Sequence, residues 1–314
     1  MAISFSVVTP TLNQVAHISK TIRSVIDQNY PQFEHIVIDG GSTDGTVEVL
    51  KKCSHLKWIS EKDQGRADAL NKGFALAKGD VIAWINSDDY YLPGAFIKVA
   101  DFFEKHPEAF VLAGQAVAVN PAGKVLFEQK AYPKNELHFQ GLLRFWKNAT
   151  LPQPSLFFRR SVFECIGFFD PKLHDYPDYD LVLRLSRKYR IYSSEEFYSA
   201  ICLQENAGSV IDIKNGDLEK KLLQVSRPHW DFLSLLEKLL IRVEYGLASP
   251  WIYLKARYEG FALRYKEQLK SSWEMKSSIR HFLSQNKSIW KQYPFESMIA
   301  CVHFLIIKTR KLGG

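Results

Sequence analysis

Four short apolar runs, separated by stretches with helical spacing, constrain this chain more than any other feature. SFSVVT (residues 4–9) is a β-branched run that reads as a buried first strand, ending at Pro10. Ile18, Ile22, Val25 and Ile26 then recur at helical intervals, and Pro31 closes the connection. HIVID (35–39) is a second strand stopped by Gly40 and Gly41, after which Thr43 or Asp44 caps a helix through Val47, Leu50 and Lys51. WIS (58–60) is a third strand. A helix with Ala67, Leu70, Phe74 and Ala77 on one face follows, ended by Gly79, and DVIAWIN (80–86) is the fourth strand. Strands alternating with helices at this spacing predict an α/β domain with a right-handed, doubly wound sheet, mostly parallel.

Farther on, the pattern predicts a helix over 95–104, a strand over 111–119 with Gly114 inside it, a strand over 156–160 and a helix over 178–189. Residues 120–155 are polar and read as a loop-rich, acceptor-side lobe. We therefore expect one α/β domain over 1–213 and a helical region over 214–314. In the latter, Phe232, Leu235, Leu236, Leu239, Leu240 and Val243 form one apolar face. Trp251, Leu254, Tyr258, Phe261, Tyr265 and Leu269 form another.

Charge separates the same two regions. Residues 214–314 carry 18 Lys and Arg against 9 Asp and Glu, whereas the rest carries 23 against 25, so the basic excess lies wholly in the last third. Such asymmetry suggests an anionic surface as partner. The start, MAISFSVVTPTLN, has no basic, apolar leader pattern, and no secretion signal is expected. The longest apolar stretch, 298–307, contains His303 and is shorter than the ~18 residues a spanning helix needs. Cys53, Cys165, Cys202 and Cys301 form no CxxC pair and read as buried structural thiols in a reducing compartment.

Candidate chemistry gathers at the strand ends. The loop TPTLN (9–13) has no glycine, which argues against a dinucleotide-binding turn of the dehydrogenase type. It also lacks the Lys or Arg expected of a sugar nucleotidyltransferase. Asn86-Ser87-Asp88-Asp89 closes the fourth strand, and adjacent carboxylates there repel unless a cation lies between them and a ligand. Hard oxygen ligands of this kind suit Mg²⁺ or Mn²⁺. The competing reading is a solvated turn with an Asp helix cap, but strand ends are where ligands bind in open α/β sheets. Asp39 also ends a strand. Alone it reads as a turn residue before Gly-Gly, although a carboxylate there can accept the N3–H of a uracil.

Six ordered blocks carry a resemblance: SVVTPTLN (6–13), VIDGGSTDGT (37–46), SEKDQGRADALNKG (60–73), GDVIAWINSDDYYLPGA (79–95), QPSLFFRR (153–160) and GFFDPKLHDYPDYDLVLRL (167–185). Over about two-thirds of its length the chain resembles the family 2 glycosyltransferases of the GT-A nucleotide-sugar-binding fold. The resemblance implies that Thr9, Thr11 and Asn13 line the nucleotide, that Asp39 reads uracil, and that Asp63 and Lys72 approach the nucleotide-sugar. The family's DxD metal motif is here N-S-D-D, which leaves Asp88 as the primary metal ligand and Asp89 as its neighbour. Asn206–Val210 lacks the basic residue that relatives place over the diphosphate, and Arg66 and Lys72 are the candidates to replace it.

Asp178 matches the family position of the catalytic base. On its residues alone it reads equally as a helix cap, with Asp180 a solvated first-turn acid and Asp175 and His174 nearby alternatives. The implied activity is inverting transfer from a UDP-hexose or UDP-N-acetylhexosamine to a saccharide or lipid-linked acceptor in bacterial surface polysaccharide assembly. A non-catalytic nucleotide-sugar-binding protein of the same fold is the alternative, prompted by Asn86. Trp230, Trp251, Trp273 and Trp290 among the basic residues of the tail suggest helices lying on an anionic membrane. Packing on the catalytic domain or a homo-oligomer contact is the other reading. No nucleic-acid-binding motif accompanies the charge, and nucleic acid is not expected as a partner. The expected setting is cytoplasmic, with the inner face of the cell membrane as the surface for peripheral attachment.

Overall fold

The computed structural model describes residues 2–130, 137–145, 151–204, 207–215 and 217–245. Among these the strands are β1 (Phe5–Thr11), β2 (Phe33–Asp39), β3 (Leu56–Ser60), β4 (Val81–Trp84), β5 (Tyr90–Tyr91), β6 (Val111–Val119), β7 (Val125–Gln129), β8 (Leu156–Arg159) and β9 (Ile191–Cys202). They form one sheet in the order β3-β2-β1-β4-β8-β6-β9-β5, with β7 paired to β6. β3, β2, β1 and β4 run parallel, as alternation with helices requires. β8 enters antiparallel to both β4 and β6, and β6 and β9 are again parallel. The result is a mixed sheet in which most strands share one direction.

β1 is buried throughout, Ser6, Thr9 and Thr11 included, because a central parallel strand is covered on both faces. It runs past Pro10, where the sequence suggested a stop. The Val8 carbonyl accepts the Ile85 N–H on the β4 side at 3.0 Å. Backbone polarity alternates along a strand, so Pro10 faces that same side, where β4 has already ended at Trp84. The missing proline N–H thus leaves no gap in the ladder.

The helices over the first half are α1 (Ile18–Ile26), α2 (Thr46–Lys51), α3 (Arg66–Leu76) and α4 (Ala95–Lys105). α1 buries Ile18, Ile22 and Val25 as their spacing predicts, while Ile26 turns outward. Among its described residues, the region expected to be polar loop holds regular elements. β6 and β7 form a hairpin whose turn is closed by Gly123 N–H to Asn120 O at 2.8 Å. Helix α5 (Phe139–Leu142) buries Leu137, Phe139, Leu142 and Leu143. α6 (Val162–Ile166) and α7 (Pro177–Lys188) follow, then α8 (Gly208–Asn215), α9 (Leu218–Ser226), a 3₁₀ turn over Arg227–Phe232 and further helical turns over 235–245. Cys202 is buried as expected, but Cys165 is exposed, since it lies on the outer side of the short helix α6. Cys301 lies outside the described residues.

By its contacts the chain divides into two compact units. The first comprises the chain through Gln204 together with Gln224–His229, and the second holds the other described residues.

Gly114 shows how tightly the second half of the sheet is packed. A Cβ built there would lie 2.1 Å from Tyr198 Cδ2 and 3.1 Å from the Glu196 carbonyl oxygen. The β6–β9 register also shifts at this point, and Tyr198 is buried with its ring edge-on to Phe157. A strand glycine with a ring lying against its backbone is a packing requirement. Gly114→Ala should therefore destabilise the fold by about 1–3 kcal/mol, as overpacking does. Denaturant unfolding measures this, and a variant as stable as the parent contradicts the packing.

Candidate active site

Strand order reverses between β1 and β4: the chain steps outward from β1 to β2 and β3, then returns to the other side of β1. In open α/β sheets the carboxyl edge at such a reversal is where ligands bind. Thr11, Asp39 and Ser60 stand side by side in register along this edge. Asp39 is fully buried and organises it. Its Oδ2 accepts the N–H groups of Gly41 at 3.1 Å and Ser42 at 2.9 Å and the Ser60 hydroxyl at 2.6 Å, while Oδ1 accepts the Ser42 hydroxyl. The turn role seen in the sequence is thus present in the geometry.

Asn13 stitches the two loops together. It adopts the left-handed conformation (φ 52°), donates its N–H to Ser42 Oγ at 2.7 Å and accepts the Thr43 N–H at 2.9 Å. Asparagine tolerates this conformation better than most residues do. Thr9 is turned into the sheet, its Oγ1 2.9 Å from His35 Nε2. Burial pushes the His35 imidazole down to about 3, so it is neutral. Thr11 Oγ1, by contrast, is buried at the edge with no partner in the protein.

The turn after β4 holds the acidic pair, and its two members differ. Asp89 is buried; its Oδ1 accepts the Cys202 N–H at 2.9 Å and its Oδ2 the Asn86 amide at 3.1 Å. Burial, and then the charge of Asp88, push its carboxyl up to about 8. Each of its oxygens thus accepts one hydrogen bond inside the protein. Asp88 is half-buried, with Oδ2 accepting from Gln204 Nε2 at 2.8 Å. Burial raises its carboxyl too, opposed by the Gln204 hydrogen bond and by the nearby charges of His17 and Arg66. Asn86 also donates to Gln153 Oε1 at 2.9 Å, and Gln153 donates to the Trp84 carbonyl at 3.0 Å.

Of the two basic residues considered for a diphosphate, Arg66 acts on Asp88, whereas Lys72 is paired with Glu61 at 2.7 Å and Asp68 at 3.4 Å. Asp63 accepts the Gly65 N–H at 2.8 Å and lies over Gly40, where a Cβ would come within 2.7 Å of its Oδ2. It therefore borders the Asp39 turn.

Asp178 opens α7 behind Tyr176, a left-handed residue (φ 48°), and Pro177. Its Oδ1 is buried with no hydrogen-bond partner. Asp180 departs from expectation: it is not a solvated first-turn acid but a buried one, 2.8 Å from both Arg184 Nε and His229 Nε2. The helix turns this position inward, and the two donors replace water. The residues missed from sequence are His17, Gln153, Gln204 and His229. Only Gln153 lay in a motif; the others come from segments with no local signature.

Comparison with known proteins shows the family. The profile of glycosyl transferase family 2 matches residues 6–167, more than half of the chain, and the chain belongs to that family. Over 118 residues it is 33% identical to TuaG of Bacillus subtilis, a glycosyltransferase named for teichuronic acid biosynthesis; the match covers 36% of this chain and 46% of TuaG. The first curated relatives are matched over only 32–46% of their own length. Among solved structures, the mannosyltransferase PcManGT of Pyrobaculum calidifontis, in complex with GDP-Man and Mn²⁺, superposes with a TM-score of 0.59 at 18% identity, covering 99% of this chain and 87% of its own. Residues 1–349 of S. aureus TarS, in complex with UDP-GlcNAc, give 0.55 at 18% identity, covering 83% and 81%. These likenesses establish the GT-A fold.

Proposed function

We propose that this chain transfers a sugar from a nucleotide-sugar, a UDP-hexose or UDP-N-acetylhexosamine, to a saccharide or lipid-linked acceptor in bacterial surface polysaccharide assembly. The observation that carries this reading is Asp88, a half-buried carboxylate at the strand-order reversal with Asp39 across the same edge. TuaG and the UDP-GlcNAc complex of TarS support the substrate class by likeness. In this reading Thr11, Asn13 and Asp39 hold the nucleoside, with the unpartnered Thr11 hydroxyl offering a contact. Asp63 and Arg66 stand toward the sugar diphosphate.

The residues at Asp88 fit a divalent cation. Among the described residues no cluster of three or more His, Cys, Asp or Glu could hold one unaided. Mg²⁺ and Mn²⁺ in nucleotide sites commonly take one or two carboxylates and complete their shell with phosphate oxygens and water. When bound by Asp88, such a cation would offset charge on the departing diphosphate.

Transfer is a single displacement. The acceptor oxygen forms a bond to the anomeric carbon as the bond from that carbon to the diphosphate oxygen breaks. The acceptor's proton passes to Asp178, and the nucleoside diphosphate leaves. Asp178→Asn keeps size and hydrogen bonding but cannot take the proton. It should bind UDP like the parent and transfer about 10²–10⁴-fold more slowly. Product formation from a panel of UDP-sugars is the measurement. UDP binding without turnover by the parent would favour the binding-protein reading that Asn86 suggests, and a comparable loss at Asp175 with none at Asp178 would move the base.

For the C-terminal region we propose an anionic membrane as partner. No helix of the described residues is long and apolar enough to cross one. The helical turns over 235–245 nonetheless expose an apolar stripe, with Leu235 85% and Leu236 65% exposed. The second apolar face, from Trp251, lies outside the described residues. Juxtamembrane Lys and Arg contribute about 1 kcal/mol each, and the Debye length falls from ~10 Å at 0.1 M salt to ~3 Å at 1 M. The chain should therefore sediment with anionic vesicles at low salt and release at high salt. No sedimentation, or equal sedimentation with neutral lipid, contradicts this and leaves packing or an oligomer contact.

A further inference from the structure

One buried contact has no part in the chemistry above. Asp180 lies in the first turn of α7, two residues from Asp178, and its Oδ1 accepts from His229 Nε2 at 2.8 Å. The pair is nearly sealed, with side-chain exposures of 7% for His229 and 12% for Asp180. The other carboxylate oxygen accepts Arg184 Nε at 2.8 Å. Arg184 donates onward to the carbonyls of Ile166 at 2.7 Å and Phe168 at 2.8 Å. One network therefore fastens the start of α7 to the segment leading into it. Burial alone would raise the Asp180 carboxyl, yet the His229 hydrogen bond and the Arg184 charge hold it below the usual range.

His229 reaches this network from far along the chain. It lies beyond the family match, which ends at 167, yet belongs to the first compact unit. Its Nε2 faces a carboxylate oxygen and so carries a proton and donates. Its Nδ1 is buried without a partner, an unfavourable placement that the Asp180 contact must offset. The same turn follows Tyr176, whose left-handed backbone persists only where its surroundings hold it.

We propose that His229 is a positioning residue: through Asp180 it fixes the first turn of α7 and thereby the direction in which Asp178 presents its carboxylate. This rests on the assignment of Asp178 as the base. Support of this kind keeps a reacting group within the narrow geometry that transfer needs. His229→Ala should lower kcat for transfer by about 10–10²-fold, the scale that a ~1 Å misplacement produces. UDP affinity and the donor KM should stay at parent values.

His229→Gln, whose Nε2 can reach Asp180, should restore most of the rate, whereas His229→Asn, one methylene shorter, should not. That pair carries the test if the alanine variant fails to fold. His229→Ala combined with Asp178→Asn should be no slower than Asp178→Asn alone, because no base remains to be oriented. Parent kcat in His229→Ala beside an impaired Asp178→Asn overturns this proposal alone. Equal rates for the Gln and Asn variants, or loss of UDP binding in step with kcat, also overturn it. Parent transfer by Asp178→Asn overturns the base assignment, and this proposal with it.

Discussion

The carboxylate of Asp89 joins the two halves of the sheet at the turn that follows β4. It sits in the turn after β4, in the parallel half, and accepts the backbone N–H of Cys202 at the end of β9, in the mixed half. Its own carbonyl accepts the Thr21 hydroxyl of α1 at 2.7 Å. Two residues farther on, Tyr91 pairs with Ser199. A buried acid tied to both β9 and α1 fixes the course of the turn, and that course decides how Asp88 stands at the carboxyl edge. Removing this carboxylate would leave the buried Cys202 N–H without its partner, which is costly.

Asn86 makes sense in this setting. It donates one amide to both Asp89 Oδ2 and Gln153 Oε1. An aspartate at that position would set a third carboxylate against two others, one of them buried, and would present no donor to either neighbour. The departure from the family's DxD pattern therefore removes a repulsion beside Asp88 and Asp89.

Much of the fold was legible because its signals are local. The runs at 4–9, 35–39 and 80–86 and the helical spacing from Ile18 are periodic patterns, and they became β1, β2, β4 and α1. The turn at Asp39 before Gly40 and Gly41 likewise reflects short-range chemistry, whereas Asn13 is held by Ser42 and Thr43 from 29 and 30 residues away. The hairpin at β7 and the apolar turn of α5 were read as loop because each is too short to establish a period. Asp180 was misread because periodicity gives the face of a helix but not the histidine that arrives 49 residues later to cover it. Gln204 and Asp88 meet across 116 residues, a pairing no local pattern encodes.

The central claim is that Asp88, presented by the Asp89-anchored turn, is where the chain meets a nucleoside diphosphate through a divalent cation. Calorimetric titration of UDP and of uridine, with Mn²⁺ and with EDTA, tests it on the parent and on Asp88→Ala. We expect the cation to tighten UDP binding to the parent by at least about tenfold, roughly 1.4 kcal/mol. Uridine should bind alike in both conditions and to both proteins, and Asp88→Ala should lose the cation's increment. Equal UDP affinity in Mn²⁺ and EDTA for the parent, or a full cation increment in Asp88→Ala, would contradict the account.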